Sequence, residues 1–142
     1  MSKSKVISTD DILATLCHSV TGVLTSASGN SVSYSAMVQK ITRTCMRPDI
    51  GCFVLFDGGF TGLVITNFTS QAAMEIYGDY MRNMGMPEEE IAHSHLSDDV
   101  SNVLGELMNQ IVGDFTSKVR EQLHTSITQN QPKMMAINKQ VQ

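Results

Sequence analysis

The chain is expected to fold as an α+β domain, on three observations. The run Val100 to Leu123 carries apolar residues at helical spacing. Two β-rich runs flank Asp57-Gly-Gly, and a shorter amphipathic helix opens the chain near Thr9. At 142 residues there is enough chain for one domain, residues 1–142, with an ordinary core.

The long helix is the best determined element. Val100, Val103, Leu104, Leu107, Met108, Ile111, Val112, Phe115, Val119 and Leu123 recur at intervals of three and four, forming one apolar stripe. Ser97 is a suitable N-cap, and Asp98 and Asp99 put negative charge where the helix dipole favours it. With about 100° of rotation per residue, Asn102, Glu106, Asn109 and Gly113 fall together opposite the stripe. Gly113 costs a helix interior about 0.5–1 kcal/mol relative to Ala. Read functionally, it removes bulk where a partner would dock. Helix geometry alone equally accommodates a solvated polar face with a tolerated glycine.

The other elements follow in order. Thr9, Asp10 and Asp11 open the first helix, whose apolar face is Ile12, Leu13, Leu16, Val20, Val23 and Leu24. Ser26 to Ser33 reads as a loop, and Tyr34 to Cys45 as a strand. Gly51 to Phe56 and Gly62 to Asn67 form a hairpin across Asp57-Gly-Gly-Phe-Thr, since Asp-Gly and Gly-Gly tolerate positive φ. Thr69 or Ser70 caps a helix ending about Asn83, and Pro87 with Glu88, Glu89 and Glu90 opens a short one. Thr125 to Gln131 reads as a polar linker and Lys133 to Asn138 as a strand.

Composition narrows the function classes. A net charge of −4, without a Lys/Arg stripe, disfavours nucleic acid and anionic membranes as partners. No apolar run approaches a membrane span and no apolar leader follows Met-Ser-Lys-Ser-Lys, so a cytoplasmic location is expected. Cys17, Cys45 and Cys52 show no Cys-x-x-Cys spacing and read as reduced, mostly buried thiols. His93 and His95 lack a third ligand nearby and read as a loop pair, so no metal is assigned. Cys17 and His18 are helix neighbours whose side chains diverge, which excludes a nucleophile and base pair. Asp57-Gly-Gly is a turn, with no Gly-Lys-Ser/Thr behind it to make a phosphate loop.

The stretch from Asn102 through Glu106 and Asn109 to Gly113, followed after a long gap by Pro132, resembles the active-site motif of the CheC/CheX/FliY chemotaxis phosphatases. That motif is Asp or Ser, three residues, Glu, two residues, Asn, then a distant Pro. Glu106, Asn109 and Pro132 match in register, whereas Asn102 stands where the family has Asp or Ser. Ile50 to Thr66 looks like the family's hairpin, and Ala72 to Tyr77 like the helix after it. The single Glu-x-x-Asn site is closer to CheX than to two-site CheC. More narrowly, the chain resembles the N-terminal portion of an uncharacterised family of CheX-like bacterial proteins.

The resemblance implies a two-layer fold with long helices on one face of an antiparallel sheet. The resembled families continue with further strands beyond Gln142, so residues 1–142 are expected to be a C-terminally truncated domain whose uncovered apolar surface a second copy would cover, by strand exchange or edge pairing, in a homodimer; the alternative is a frayed final strand with the helices covering the core. The implied activity is hydrolysis of the aspartyl phosphate on a phosphorylated CheY-type receiver domain. Asn109 would orient the attacking water and Glu106 would pair with the receiver's lysine, while Asn102 and Gly113 contact the partner. Pro132 would shape the turn from the helix into the next strand. No cofactor of its own is implied, since the receiver brings Mg2+. The alternative is a binding module or adaptor that keeps the docking helix without hydrolysis.

Overall fold

The computed structural model describes residues 8–35, 41 and 47–137. The order is α1 (Thr9–Ser28), β1 (Ile50–Gly58), β2 (Gly62–Phe68), α2 (Ser70–Asn83), a 3-10 turn (Glu88–Glu90), α3 (Asp98–Gln122), β3 (Ile127–Gln129) and β4 (Lys133–Ala136). This is the expected α+β arrangement of an antiparallel sheet and helices. Among the described residues no helix is long and apolar enough to cross a membrane.

α1 opens at Thr9 as expected, and Ser8 before it is the N-cap, its hydroxyl accepting from the Asp11 N–H at 3.0 Å. The helix also outlasts the loop expected from Ser26, ending at Gly29, whose φ of 75° allows its N–H to bond Thr25 O. The serines there join the last turn: Ser28 Oγ donates to Leu24 O, and Asn83 Nδ2 donates to Ala27 O at 3.1 Å. The α1 C-terminus is thereby tied to α2. Of the strand expected over Tyr34 to Cys45, Tyr34 and Ser35 are irregular, and the remainder apart from Ile41 lies outside the described residues.

β1 and β2 pair from Ile50↔Phe68 to Phe56↔Gly62. In the turn, Asp57 Oδ1 accepts from Gly58 N and Thr61 Oγ1, each at 2.9 Å. Gly58 has φ 133°, and a Cβ placed there would stand 2.6 Å from Ser126 O, so the close approach of the two backbones requires glycine.

Two expectations about the chain after α3 are corrected. The segment expected to be a polar linker holds β3, which pairs antiparallel with β1 from Phe56↔Gln129 to Gly58↔Ile127. β4 continues along the same edge of β1, from Phe53↔Lys133 to Ile50↔Ala136. Between Phe56↔Gln129 and Phe53↔Lys133, β1 supplies Val54 and Leu55 while the other strand supplies Asn130, Gln131 and Pro132. The extra residue makes a bulge. Pro132 therefore sits inside an interrupted strand, where its missing N–H costs no ladder bond, and not in the turn leaving α3. That turn is made earlier, where His124 adopts φ 56°.

β1 is the central strand. Its Cys52, Val54 and Phe56 pack with Met108, Ile111, Val112, Phe115 and Val119 of α3, and α1 adds Ile12, Leu16, Val20, Val23 and Leu24. A second cluster joins Ile50 to Ala73 and Tyr77 of α2 and to Val100 and Leu104 of α3. The helices thus share one sheet face. Burial pushes the Cys52 thiol up to about 11, so it stays protonated and inert at neutral pH. Cys17 is free and partly buried, and Cys45 lies outside the described residues.

Candidate functional site

α3 is fixed at its start by Ser97, whose hydroxyl accepts from Asp99 N at 3.2 Å. The buried Tyr77 hydroxyl accepts from Ala92 N at 3.0 Å and anchors the loop that delivers the helix. The apolar stripe is buried as its periodicity requires, with Leu104, Leu107, Phe115 and Val119 almost wholly removed from solvent. Asn102, Glu106, Asn109 and Gly113 are all exposed on the opposite side. At about 100° per residue the four span an arc of about 60°, and Glu106 and Asn109 stand about 4.5 Å apart along the axis.

The functional atoms of this face point at solvent. Among the described residues the Asn109 and Asn102 amides form no hydrogen bond within the chain, leaving the donors and acceptors of Asn109 free for a partner. Glu106 Oε1 accepts a long hydrogen bond, 3.5 Å, from Gln110 Nε2. Sequence reasoning missed Gln110, although the i, i+4 rule marks it as the neighbour of Glu106. A Cβ added at Gly113 would meet nothing within 4 Å, so internal packing does not demand glycine there.

Asp114, also missed, lies at the shoulder of this face. Its carboxylate pairs with Lys118 Nζ at 2.7 Å. Burial alone would raise its pKa, but the Lys118 hydrogen bond, the Ser19 hydroxyl and the Lys118 charge outweigh burial and hold it below the ordinary range. Ser19 is fully buried. Its hydroxyl lies near enough to favour the charged carboxylate without completing a hydrogen bond.

Pro132 is not on the helix face, being placed by the bulge in the sheet layer. The two layers meet nearby, since a Cβ at Gly105 would stand 3.7 Å from Met134 Cγ of β4. Among the described residues no three His, Cys, Asp or Glu side chains converge to hold a metal. Instead, Glu88 is held below its usual range chiefly by the hydrogen bond from Arg82, with a smaller contribution from His93.

Among the described residues, α1, α2 and α3 over an antiparallel sheet form a CheC/CheX-like fold. A chemotaxis protein CheX from Desulfovibrio desulfuricans superposes with a TM-score of 0.73 at 18% identity, over 91% of this chain and 79% of that one. A CheC-like superfamily protein from Shewanella sp. PV-4 gives 0.73 at 14% identity, over 96% and 82%. A CheX from Borrelia burgdorferi, solved as a CheX-CheY-BeF3-Mg2+ complex, gives 0.58 at 15% identity, over 88% and 76%. The chain itself belongs to the family described as protein of unknown function (DUF3334), whose model matches residues 3–142. No curated protein matches it in sequence.

Proposed function

We propose that this protein acts in the cytoplasm on a phosphorylated CheY-type receiver domain and accelerates hydrolysis of its aspartyl phosphate. The observation that carries the reading is Glu106 and Asn109 one turn apart on the solvent face of α3, in a chain with the CheX fold. The Borrelia burgdorferi CheX, which shares this fold, is known in a complex with CheY, and that supports a receiver as the partner.

The chemistry asked of α3 is positioning. The Asn109 amide can accept from a water proton and donate to an adjacent oxygen, which orients that water in line with the scissile P–O bond. Water attacks phosphorus, the bond to the receiver's aspartate breaks, and carboxylate and inorganic phosphate leave. Any Mg2+ is the receiver's own. Glu106, offering a carboxylate one turn away, pairs with the receiver's lysine and sets the docking geometry. Gln110 steadies that carboxylate, and Gly113 leaves room for the partner's surface.

The test is the loss of label from a prelabelled receiver with and without this protein. Removing one positioned group of this kind costs about 3–4 kcal/mol, so Asn109→Ala should slow accelerated decay by about a hundred to a thousandfold. Full activity in that variant would refute the catalytic assignment. A second reading, a receiver-binding adaptor without hydrolysis, is favoured by Asn102 at the position of the motif's Asp or Ser. It requires binding with no acceleration at all.

A further inference from the structure

α1 is packed less closely than α3. The α3 stripe is almost wholly buried, whereas α1 buries only Thr15 and Ser19, and its Leu16, Val20, Val23 and Leu24 keep partial exposure although they face the core. A cavity of about 390 Å³ lies against that face, between α1, the sheet and α3. Val20 and Leu24 of α1, Val54 and Val64 of the hairpin, and Met108 and Ile111 of α3 line it. Val32, Ser33 and Tyr34 border its outer end, where the half-exposed Tyr34 ring stands edge-on to His18 with centroids 6.0 Å apart.

The walls decide what can fill this space. An apolar cavity of about 150 Å³ stays dry and takes benzene, and a buried water needs about three hydrogen bonds. Among the described residues no charged side chain lines the cavity. The Thr21 hydroxyl already donates to Cys17 O at 2.9 Å, and the Thr66 hydroxyl makes no hydrogen bond among the described residues. Thr66, the Thr21 lone pairs and the Cys17 thiol are too few to hold the dozen or so waters that would fit at about 30 Å³ each.

We propose that this cavity binds a neutral, largely apolar small molecule, about two aromatic rings in size, with a single hydrogen-bonding group that meets the Thr66 hydroxyl. Met108 and Ile111 flank Asn109 along α3, so the occupant touches from behind the helical turn whose outer side carries Asn109 and Glu106. Control of the α3 face through this contact rests on the receiver-phosphatase reading. The binding itself does not, and it is measured with no receiver present.

The experiment is a fluorescence titration of the full chain with N-phenyl-naphthylamine, a neutral aromatic dye that brightens in apolar surroundings. Val20→Phe and Val64→Phe are compared with it, singly and combined. One filling side chain enters from α1 and the other from the sheet, and thermal melts establish that each variant folds. The expected result is saturable one-to-one binding, weakened several-fold by each substitution and about tenfold or more by the pair. In the unaltered chain, saturating dye should slow alkylation of Cys17 several-fold, read by peptide mass spectrometry. Cys52, fully buried, is the unreactive reference. Absence of saturable binding, or binding that ignores both fillings and leaves Cys17 unprotected, overturns the inference.

Discussion

Asn130 stands in for a ladder residue of β1's neighbour by using its own side chain: its Oδ1 accepts the Leu55 N–H at 2.8 Å, while its N–H donates to Leu55 O at 3.1 Å. Both polar groups of Leu55 are satisfied by one residue at the bulge, where a regular pairing has lapsed. Asn130→Ala removes one bond at an exposed edge that water can reach. It should lower stability by about 1 kcal/mol, read as a lower urea midpoint at unchanged m. An unchanged midpoint would mean that water replaces the amide without loss.

The turn between β1 and β2 should be far less tolerant at Gly58. An alanine there meets Ser126 O at 2.6 Å in a backbone region L-residues rarely adopt. The substitution should cost about 2 kcal/mol or more, and at minimum as much as Asn130→Ala. Paired denaturation curves of the two variants give the ranking directly.

Gly113 is the opposite case, with open space around its Cα and helical backbone on either side. Gly113→Ala should therefore stabilise the fold by about 0.5–1 kcal/mol. If the glycine keeps a docking surface clear, the same variant should bind the receiver less tightly. A more stable protein with undiminished receiver affinity would reduce Gly113 to a tolerated surface glycine.

Asp114 supplies a pH dependence with a definite sign. Its carboxyl is held below the ordinary aspartate range, so the unfolded chain takes up the proton more readily than the folded one. The stabilisation is present above the unfolded value and is lost as pH falls through the lower folded value. The residue is partly exposed and its pair with Lys118 is screened, so the effect is modest. Asp114→Asn should flatten that portion of the acid limb in a thermal-melt series and leave the neutral-to-alkaline limb parallel to the parent.

What could be read from the sequence depended on how local each determinant was. The α3 face was legible because ten apolar residues fix the helix phase, and the phase alone fixes where Asn102, Glu106, Asn109 and Gly113 point. The hairpin was legible because Asp57-Gly-Gly encodes its own turn. β3 was not, because Ile127-Thr128-Gln129 has one buried side chain and becomes a strand only through pairing with β1. The bulge was hidden for the same reason: Pro132 looks like turn chemistry until the register of two distant strands is known. Ser8 and Thr9 are adjacent hydroxyls, and only the hydrogen bond to Asp11 distinguishes the cap.

Asn102 offers the sharpest test of the proposed reaction, because it is where the chain departs from the motif that the rest of α3 matches. It lies one turn before Glu106, is exposed, and makes no hydrogen bond among the described residues, so changing it should not disturb the fold. Asn and Asp are nearly isosteric, and the difference is a charge. If α3 docks against a receiver's basic rim, Asn102→Asp adds a favourable contact that salt screens, and it should raise the apparent affinity several-fold at low ionic strength and less at high. Hydrolysis per bound complex should change little, since Asn109 does the positioning. The measurement is dephosphorylation rate against protein concentration at two salt concentrations, which separates affinity from turnover. A gain in turnover instead would give position 102 a part in the reaction itself, and no change in either would place it outside the interface.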